Sequence, residues 1–317
     1  MSDDEIDYDA VLKGDRRSLA KAISIVEDRG MYGTSPSKIG ETMGKAFVIG
    51  ITGPLGTGKS TLVDRLIDAY VAEGRTVGVL AIDPTSPITG GALLGDRLRM
   101  TKHSLNKDVF IRSMASRGEQ GGLAKSTKGV VSLLRASGKN IIIVETIGAG
   151  QSDVEVMNLT DVVVVVTMPG LGDEIQTSKA GLMEVGDIFV INKSDLGGAD
   201  KMMIYFTEFL RGRGSGGWAP RIVKLSSVTG EGISDLVTAL NSREEFVNEK
   251  KAGPFQRKRE NIEDEIINLV AIELKTIVMK KLSQSRDLRK FIDLVEQGQL
   301  DSLQAAQEIS SKLIPES

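Results

Sequence analysis

Residues 53–60 have the residue types and spacing of a phosphate-binding P-loop, which consists of Gly53, Pro54, Leu55, Gly56, Thr57, Gly58, Lys59 and Ser60. Glycines allow the main chain to curl until several N–H groups point at phosphate oxygens, and the following helix adds its positive end. Lys59 is expected to reach the β- and γ-phosphates, and the Ser60 hydroxyl to bind Mg²⁺. An apolar run before the loop and a helical pattern after it provide the context that a P-loop requires. The motif predicts a nucleoside triphosphate site; a glycine-rich turn without ligand is the less favoured alternative.

An N-K-x-D sequence farther along the chain predicts which base is bound. Asn192, Lys193 and Asp195 follow an apolar run at residues 187–191 that is predicted to be a strand. The Asp195 carboxylate can accept hydrogen bonds from N1–H and the exocyclic amino group of guanine. Adenine offers neither group there and would leave a buried Asp195 unpaired. Lys193 is expected to lie along the base and Asn192 to brace neighbouring loops. A chance polar loop is the alternative, but the position after a P-loop favours GTP and GDP as ligands.

The next predicted strand ends in a sequence that could contact the guanine ring from another side. Ser226, Ser227 and Val228 follow this strand, and small residues there let main-chain N–H groups approach the guanine carbonyl oxygen. The glycines at positions 230 and 232 would also suit a simple turn. The order of the motifs along the chain favours base binding.

Asp83 and Glu145, at the ends of predicted strands, are candidates for magnesium binding and hydrolysis. Glu145 stands where P-loop enzymes keep an acidic residue near the metal. Asp83 is assigned either to a magnesium-bound water or to the attacking water, and the sequence leaves both open. Each carboxylate could instead cap a helix. The predicted cofactors are GTP or GDP and Mg²⁺.

Glycine-rich loops separate these motifs, at residues 84–100, 116–122, 148–153 and 169–174. Such loops are expected to order around a γ-phosphate and to relax when it leaves. Arg97, Arg99 and Arg117 could stabilise transition-state charge, or they could form surface salt bridges. His103 is the one histidine in the chain and is expected on a helix surface.

The composition excludes several classes of protein. A net charge of −3 produces no global basic field that would attract nucleic acid or an anionic membrane. The absence of cysteine rules out disulfides and thiolate metal sites and suits a reducing cytoplasm. The start of the chain is acidic and unlike a secretory signal, and the apolar run at 162–168 is too short to cross a bilayer. We expect a cytoplasmic protein without a nucleic-acid or membrane partner.

Short β-branched runs alternate with helical patterns and predict an α/β fold with a mostly parallel, doubly wound sheet. The predicted strands are residues 47–52, 76–82, 109–112, 140–145, 162–167, 188–191 and 222–225. Continuous apolar strands such as 162–166 are expected to be buried on both faces. Ligands of such sheets bind beyond the carboxyl ends of the strands, where all the motifs fall.

Helical extensions are predicted on both sides of the sheet. Asp15 begins a capped amphipathic helix, and a long helix with more than one apolar face follows residue 260. Such a helix needs a covering surface, and we weigh a homodimer interface against packing onto the nucleotide-binding domain of the same chain. The predicted parts are an N-terminal helical extension (1–45), a P-loop G domain (46–243) and a C-terminal dimerisation arm (244–317).

These segments together closely resemble the MeaB/ArgK-type G proteins, the GTPases associated with methylmalonyl-CoA mutase. The resemblance rests on residues 53–61, 83–87, 90–97, 145–152 and 169–173, and it spans essentially the whole chain. It implies a SIMIBI-class G domain, the class of the signal recognition particle, MinD and BioD, and a homodimer joined through the C-terminal arm. It also implies a chaperone that uses GTP hydrolysis to gate adenosylcobalamin delivery to the mutase and to protect the mutase.

The resemblance assigns further roles by matching position. Thr61 joins the P-loop, Asp96 belongs with Asp83 to a first switch, and residues 145–151 form a second. A third switch, from residue 169 to 179, would communicate with the mutase. The implied catalytic residues are Lys59, Asp83, Glu145 and Gln151, and the implied metal ligands are Ser60, Asp83, Asp96 and Glu145.

Two other functions stay open at this stage. A nickel-insertion GTPase of the same class would need histidine or cysteine ligands, and this chain has one histidine and no cysteine. Older descriptions of the family speak of a lysine/arginine/ornithine transport ATPase or kinase. The guanine-selecting Asp195 makes use of ATP the poorer interpretation.

Overall fold

The computed structural model describes residues 6–29, 46–83, 101–103, 105–115, 122–146, 156–170, 184–212, 217–250 and 287–313, and separate positions at 270, 274, 277–278 and 281–282. The chain divides into two compact units, Met1–Gln256 and Arg257–Ser317. The three functional parts expected from the sequence stay a prediction.

Seven strands of the first unit form one sheet in which every neighbouring pair is parallel. The strands are β1 (Phe47–Thr52), β2 (Val77–Asp83), β3 (Val109–Ala115), β4 (Ile141–Glu145), β5 (Val162–Thr167), β6 (Ile188–Ile191) and β7 (Arg221–Lys224). Their order across the sheet is β3-β2-β4-β1-β5-β6-β7. The predicted strands are confirmed, although β3 is longer than expected because it pairs with β2 as far as Ala115, opposite Asp83.

Among the described residues, six α-helices accompany the sheet: α1 (Tyr8–Leu12), α2 (Arg16–Arg29), α3 (Lys59–Ala72), α4 (Gly122–Ala136), α5 (Ala199–Phe209) and α6 (Ile233–Lys250). In β5, Val163 and Val165 pack in a cluster with residues of α2, α4 and α5, whereas Val164 and Val166 pack with residues of α3 and α6. Side chains of a strand alternate between the faces of a sheet, so a fully buried run of valines requires a layer of helices on each face. The predicted doubly wound α/β fold is confirmed.

The N-terminal helix α2 begins as the sequence predicts. An Asp15 carboxylate oxygen accepts a hydrogen bond from the Ser18 amide at 2.7 Å, which satisfies one of the free N–H groups of the first turn. Leu19, Ile23 and Val26 are buried in the same cluster as residues of α4. The hydrophobic core therefore includes the N-terminal extension.

In the second unit, the helices α7 (Asp287–Glu296) and α8 (Ser302–Leu313) pack against each other. Phe291 and Ala305 are buried. Val270, Leu274 and Ile277, which belong to the predicted long helix, are helical and about half exposed, at 51%, 48% and 43%. The remainder of that predicted helix lies outside the described residues.

Candidate nucleotide-binding and hydrolysis site

The residues expected to do chemistry meet at the carboxyl edge of the sheet. The P-loop follows β1, Asp83 and Glu145 are the last residues of β2 and β4, and Asn192 directly follows β6. All strands of a parallel sheet end at the same edge, so residues far apart in the sequence become neighbours. The edge therefore brings together the phosphate, metal and base motifs.

Two glycines of the P-loop have backbone conformations and surroundings that exclude a side chain. Gly53 has φ 142°, and a Cβ there would lie 2.0 Å from the Val166 carbonyl oxygen. Gly58 has φ 90°, and a Cβ there would lie 2.5 Å from Nδ2 of Asn192. The loop therefore packs against β5 and the base motif. Gly58 is also the N-cap of α3, whose first-turn N–H groups form the positive helix end that suits phosphate.

The side chain of Lys59 folds back onto the main chain of the P-loop. Its side chain is buried, and Nζ donates hydrogen bonds to the carbonyl oxygens of Gly53 at 2.9 Å and Pro54 at 3.1 Å. Thr57 Oγ1 also donates to the Pro54 oxygen at 2.9 Å. These contacts hold the ammonium group inside the curled loop, beside the main chain predicted to receive phosphate.

The candidate metal ligands come from α3, β2 and β4. Ser60 Oγ donates a hydrogen bond to Oε1 of Glu145 at 2.8 Å. Glu145 and Asp83 are almost fully buried, at 4% and 5% exposure. Because buried carboxylates require compensating charge or hydrogen bonds, and because Mg²⁺ prefers oxygen ligands, this donor set fits a magnesium ion.

Asn192 joins three loops through its side-chain amide. Nδ2 donates to the Thr57 carbonyl oxygen at 2.7 Å. Oδ1 accepts hydrogen bonds from the amide of Lys193 at 2.8 Å and from the amide and hydroxyl of Ser227 at 3.0 and 2.9 Å. The bracing role predicted for this residue is present in the structure, and it links the P-loop to both base motifs.

The remainder of the N-K-x-D sequence forms a tight turn. Lys193 has φ 58° and is the single non-glycine residue with positive φ in the described part of the chain. Asp195 lies in the short 3-10 helix Ser194–Leu196, and its side chain is exposed. The chain itself therefore does not bury Asp195, so the burial assumed for base selection would have to come from the nucleotide.

The base loop, which we define as residues 226–230, is held from two sides. Asn192 binds it through Ser227, and Ser226 and Ser227 are buried, whereas Val228 is 71% exposed. On the other side Arg65 of α3 donates to the carbonyl oxygens of Ser227 at 2.9 Å and Val228 at 2.6 Å. Sequence reasoning missed Arg65, because nothing in its local pattern indicates a contact more than 160 residues away.

The expectation for His103 is wrong. This residue is buried, and its Nε2 lies 2.8 Å from Oδ1 of Asp64 on α3. Lys102 binds Asp64 and Asp68 on the same helix, both at 2.8 Å. The segment Thr101–His103 therefore packs on α3, and the Lys102 ammonium forms ion pairs with both carboxylates.

Several predicted site residues lie outside the described residues: Asp96, Arg97, Arg99, Arg117 and Gln151. The same holds for residues 84–100 and 147–155 and for positions 171–179 of the third proposed switch. Their roles stay predictions.

The family model for the methylmalonyl Co-A mutase-associated GTPase MeaB matches residues 19–284. The chain belongs to the MeaB family. It is 44% identical over 308 residues to a protein of Pyrococcus horikoshii named for GTPase activity alone, an alignment that covers 95% of this chain and 96% of the relative. It is 34% identical over 274 residues to the GTPase ArgK of Escherichia coli, covering 81% of this chain and 82% of the relative.

The fold also agrees with a solved structure. A crystal structure of an LAO/AO transport system kinase covers 96% of both chains with a TM-score of 0.65 at 22% identity. At this identity the likeness concerns the fold. Membership of the MeaB family confirms the resemblance seen in the sequence and makes the chain a P-loop GTPase. In the described part of the chain, no helix combines the length and the apolar character needed to span a membrane.

Proposed function

We propose that this MeaB-family GTPase binds GTP with Mg²⁺ at the carboxyl edge of its sheet and hydrolyses it there to GDP and phosphate. The observation that carries the proposal is the set of contacts made by Asn192. One side chain joins the P-loop, the N-K-x-D turn and the base loop. The phosphate and base motifs therefore form one connected site, as guanine-nucleotide binding requires.

Each element of the site has a separate task in this proposal. The main-chain N–H groups of residues 53–61 and the Lys59 ammonium would hold the phosphates, and Asp195 with the base loop would hold guanine. Ser60, Asp83, Asp96 and Glu145 would hold Mg²⁺ directly or through water, and the ion would neutralise charge on the β- and γ-phosphates. Asp83 keeps its two alternatives, a magnesium-bound water or the attacking water. Gln151 is proposed as a further catalytic residue.

A change of base preference from guanine to xanthine tests the role proposed for Asp195. Asp195→Asn should weaken GTP binding about 100-fold or more, because two hydrogen bonds to a charged acceptor are lost. The amide should bind xanthosine triphosphate better, because xanthine has an oxygen where guanine has the amino group. Binding is measured by calorimetry with GTP, xanthosine triphosphate and ATP. Asp200→Asn, an exposed carboxylate paired with Lys224, is the matched control and should change nothing. Retained guanine preference in Asp195→Asn would remove this residue from the base site.

We also propose a client for the GTPase cycle. The family is described by its association with methylmalonyl-CoA mutase. In our proposal the GTPase acts in the cytoplasm as a homodimeric chaperone that gates delivery of adenosylcobalamin to this mutase, or to a related acyl-CoA mutase, and protects it. A transport-associated ATPase or kinase is the competing function.

The competing functions differ in nucleotide and partner. Purified protein should hydrolyse GTP in preference to ATP, and addition of the mutase should change the rate of GTP hydrolysis. A mutase subunit should also be recovered when the full chain is used as bait in native lysate. Equal hydrolysis of ATP and GTP, with no response to mutase, would refute the chaperone proposal, and recovery of a transporter component would favour the alternative.

A further inference from the structure

Arg65 belongs to none of the sequence motifs, yet it reaches the base loop. It lies on α3, one turn after Thr61 of the P-loop, and its side chain is partly buried. Its Nε donates to the Ser227 carbonyl oxygen and a terminal nitrogen donates to the Val228 carbonyl oxygen. Two donors of one rigid guanidinium therefore bind two successive carbonyls, which determines the orientation of the loop as well as its position.

One main-chain amide of the base loop forms no hydrogen bond within the described part of the protein. Four amides are engaged within the protein, those of Ser226, Ser227, Thr229 and Gly230. The amide of Val228 has no hydrogen-bond partner among the residues that the structure describes. It is therefore the main-chain N–H of this loop that remains for a ligand among the described residues.

The leftover donor and the Arg65 contact share one peptide group. The carbonyl of Ser227, which Arg65 binds, and the N–H of Val228 belong to the same peptide bond. The described residues contain no cis peptide bond. In a trans peptide the C=O and N–H point in opposite directions, so a donor that holds the carbonyl also sets the direction of the N–H. The Val228 N–H consequently points away from the guanidinium of Arg65.

We propose that Arg65 is a positioning residue for guanine recognition: it holds the carbonyls of Ser227 and Val228 so that the Val228 N–H is presented to the carbonyl oxygen O6 of the base. The inference rests on the proposed guanine site. The charged donor also polarises the peptide and strengthens its N–H as a donor, because linked hydrogen bonds reinforce each other. Arg65 thus contributes to base selection without touching the nucleotide.

Nucleotides that differ at single positions of the base test whether Arg65 acts on the contact at O6 or stabilises the whole site. In 6-thio-GDP sulphur, a weaker acceptor, replaces O6, while N1–H and the amino group remain. IDP keeps O6 and lacks the amino group that Asp195 is proposed to bind. The affinities of GDP, 6-thio-GDP and IDP are measured by calorimetry for the full chain and for Arg65→Met and Arg65→Lys.

Arg65→Met should weaken GDP and IDP about tenfold and 6-thio-GDP much less, because only the first two lose a strong contact at O6. The preference for GDP over 6-thio-GDP should therefore fall, while the preference for GDP over IDP stays unchanged. Arg65→Lys should retain part of the effect, since it keeps the charge but not the planar fork. Arg211→Met replaces an exposed arginine that follows α5 and should leave all three affinities unchanged.

Two results would overturn the inference: equal losses for all three nucleotides, which is what a merely structural role predicts, or unchanged affinities. If Arg65→Met does not fold, Arg65→Lys provides the same comparison of ratios. Asp195→Asn distinguishes a failure of the role of Arg65 from a failure of the proposed guanine site. If that variant selects xanthine while the Arg65 variants leave the ratios unchanged, only the role of Arg65 fails. If it keeps its preference for guanine, the guanine site itself is wrong, and the inference falls with it.

Discussion

At the scale of single residues, the side chain of Asn192 connects parts of the site that lie far apart in the sequence. It is 1% exposed, and its amide binds Thr57 of the P-loop and Ser227 of the base loop. Buried polar groups that lose their partner cost about 1–3 kcal/mol each. The connection therefore contributes to folding, and we predict that it also supports nucleotide binding.

Asn192→Ala should lower the free energy of unfolding by about 2–4 kcal/mol, because the Thr57 carbonyl and the Ser227 amide are left without partners. GDP affinity should fall about 100-fold or more, because the P-loop and base loop lose their common support. Urea unfolding and calorimetry measure the two effects. Ser227→Ala removes only one hydroxyl bond to Asn192 and should cost about 1 kcal/mol. Equal effects of the two variants on GDP affinity would contradict the bracing role.

At the scale of elements, α3 serves the site and the core with different faces. Its first turn carries Ser60, and Arg65 faces the base loop. Leu62, Leu66 and Tyr70 are fully buried against the sheet. The same packing that anchors α3 in the core therefore also sets the positions of the P-loop and base-loop contacts.

Tyr70→Phe should stabilise the protein. The ring is fully buried, and among the described residues the hydroxyl has no hydrogen-bond partner. Burial accordingly raises the pKa of this phenol well above its usual range. Removal of a desolvated hydroxyl should raise the free energy of unfolding by about 1 kcal/mol, measured by urea denaturation. Tyr205→Phe, on the exposed side of α5, should change it by less than about 0.5 kcal/mol. A loss of stability in Tyr70→Phe would show that the hydroxyl has a partner.

At the scale of the whole sheet, the edge opposite the site holds a buried ion pair. Asp161, just before β5, accepts a hydrogen bond from the Val48 amide at 2.8 Å and lies 3.3 Å from Arg135. Burial raises the pKa of Asp161 and lowers the pKa of Arg135. Desolvation therefore outweighs the attraction within this pair.

Asp161→Asn should gain stability relative to the natural protein as the pH rises from about 4.5 to about 7.5. The pKa of Asp161 lies above its ordinary value of 3.8, so the folded protein binds this proton more tightly than the unfolded chain does and loses stability as the proton leaves. The gain in the free energy of unfolding of Asp161→Asn relative to the natural protein amounts to about 1.4 kcal/mol for each tenfold difference in proton affinity between the folded and the unfolded chain. Urea unfolding at both pH values measures it.

Asp15→Asn is the control, because its stability relative to the natural protein should change with pH in the opposite direction. The hydrogen bond from the Ser18 amide lowers the pKa of Asp15, so its contribution to stability is present above the unfolded pKa and disappears as the pH falls. The Asn variant should therefore lose stability relative to the natural protein as the pH rises through 3.8, the ordinary pKa of this carboxyl, so the control is measured from about pH 2.5 to about pH 5. The same sign for both variants would refute the assignment of the shifts.

The second unit presents apolar side chains that bear on assembly. Val270, Leu274 and Ile277 recur at helical spacing and are each about half exposed. We predict a homodimer through this stripe, with a mass in light scattering of twice the chain mass of 34.0 kDa. Leu274→Lys should shift the protein to the monomer, because a charge would be buried in the interface. Leu303→Lys, at an exposed leucine of α8, should leave the dimer intact. A natural protein that is monomeric at all concentrations would refute the interface.

The strands and the nucleotide motifs of this protein can be predicted from local sequence. The P-loop could be recognised because its glycines, Lys59 and Ser60 are contiguous, and the geometry of such a loop depends on local backbone freedom. The strands could be recognised because wholly apolar, β-branched runs have few other stable arrangements. Asn192 could be predicted as a brace because it belongs to a motif of known order.

The contacts that support these motifs follow from the three-dimensional arrangement of the elements and not from the local sequence. Arg65 and Asn192 reach Ser227 across 162 and 35 residues, and His103 reaches Asp64 across 39. Such contacts depend on the strand order, which places β1 between β4 and β5, and on the packing of α3. Local patterns contain no information about distance in space, so Arg65 carried no signal of a role, and His103 was expected on a helix surface although the fold places its partner beside it.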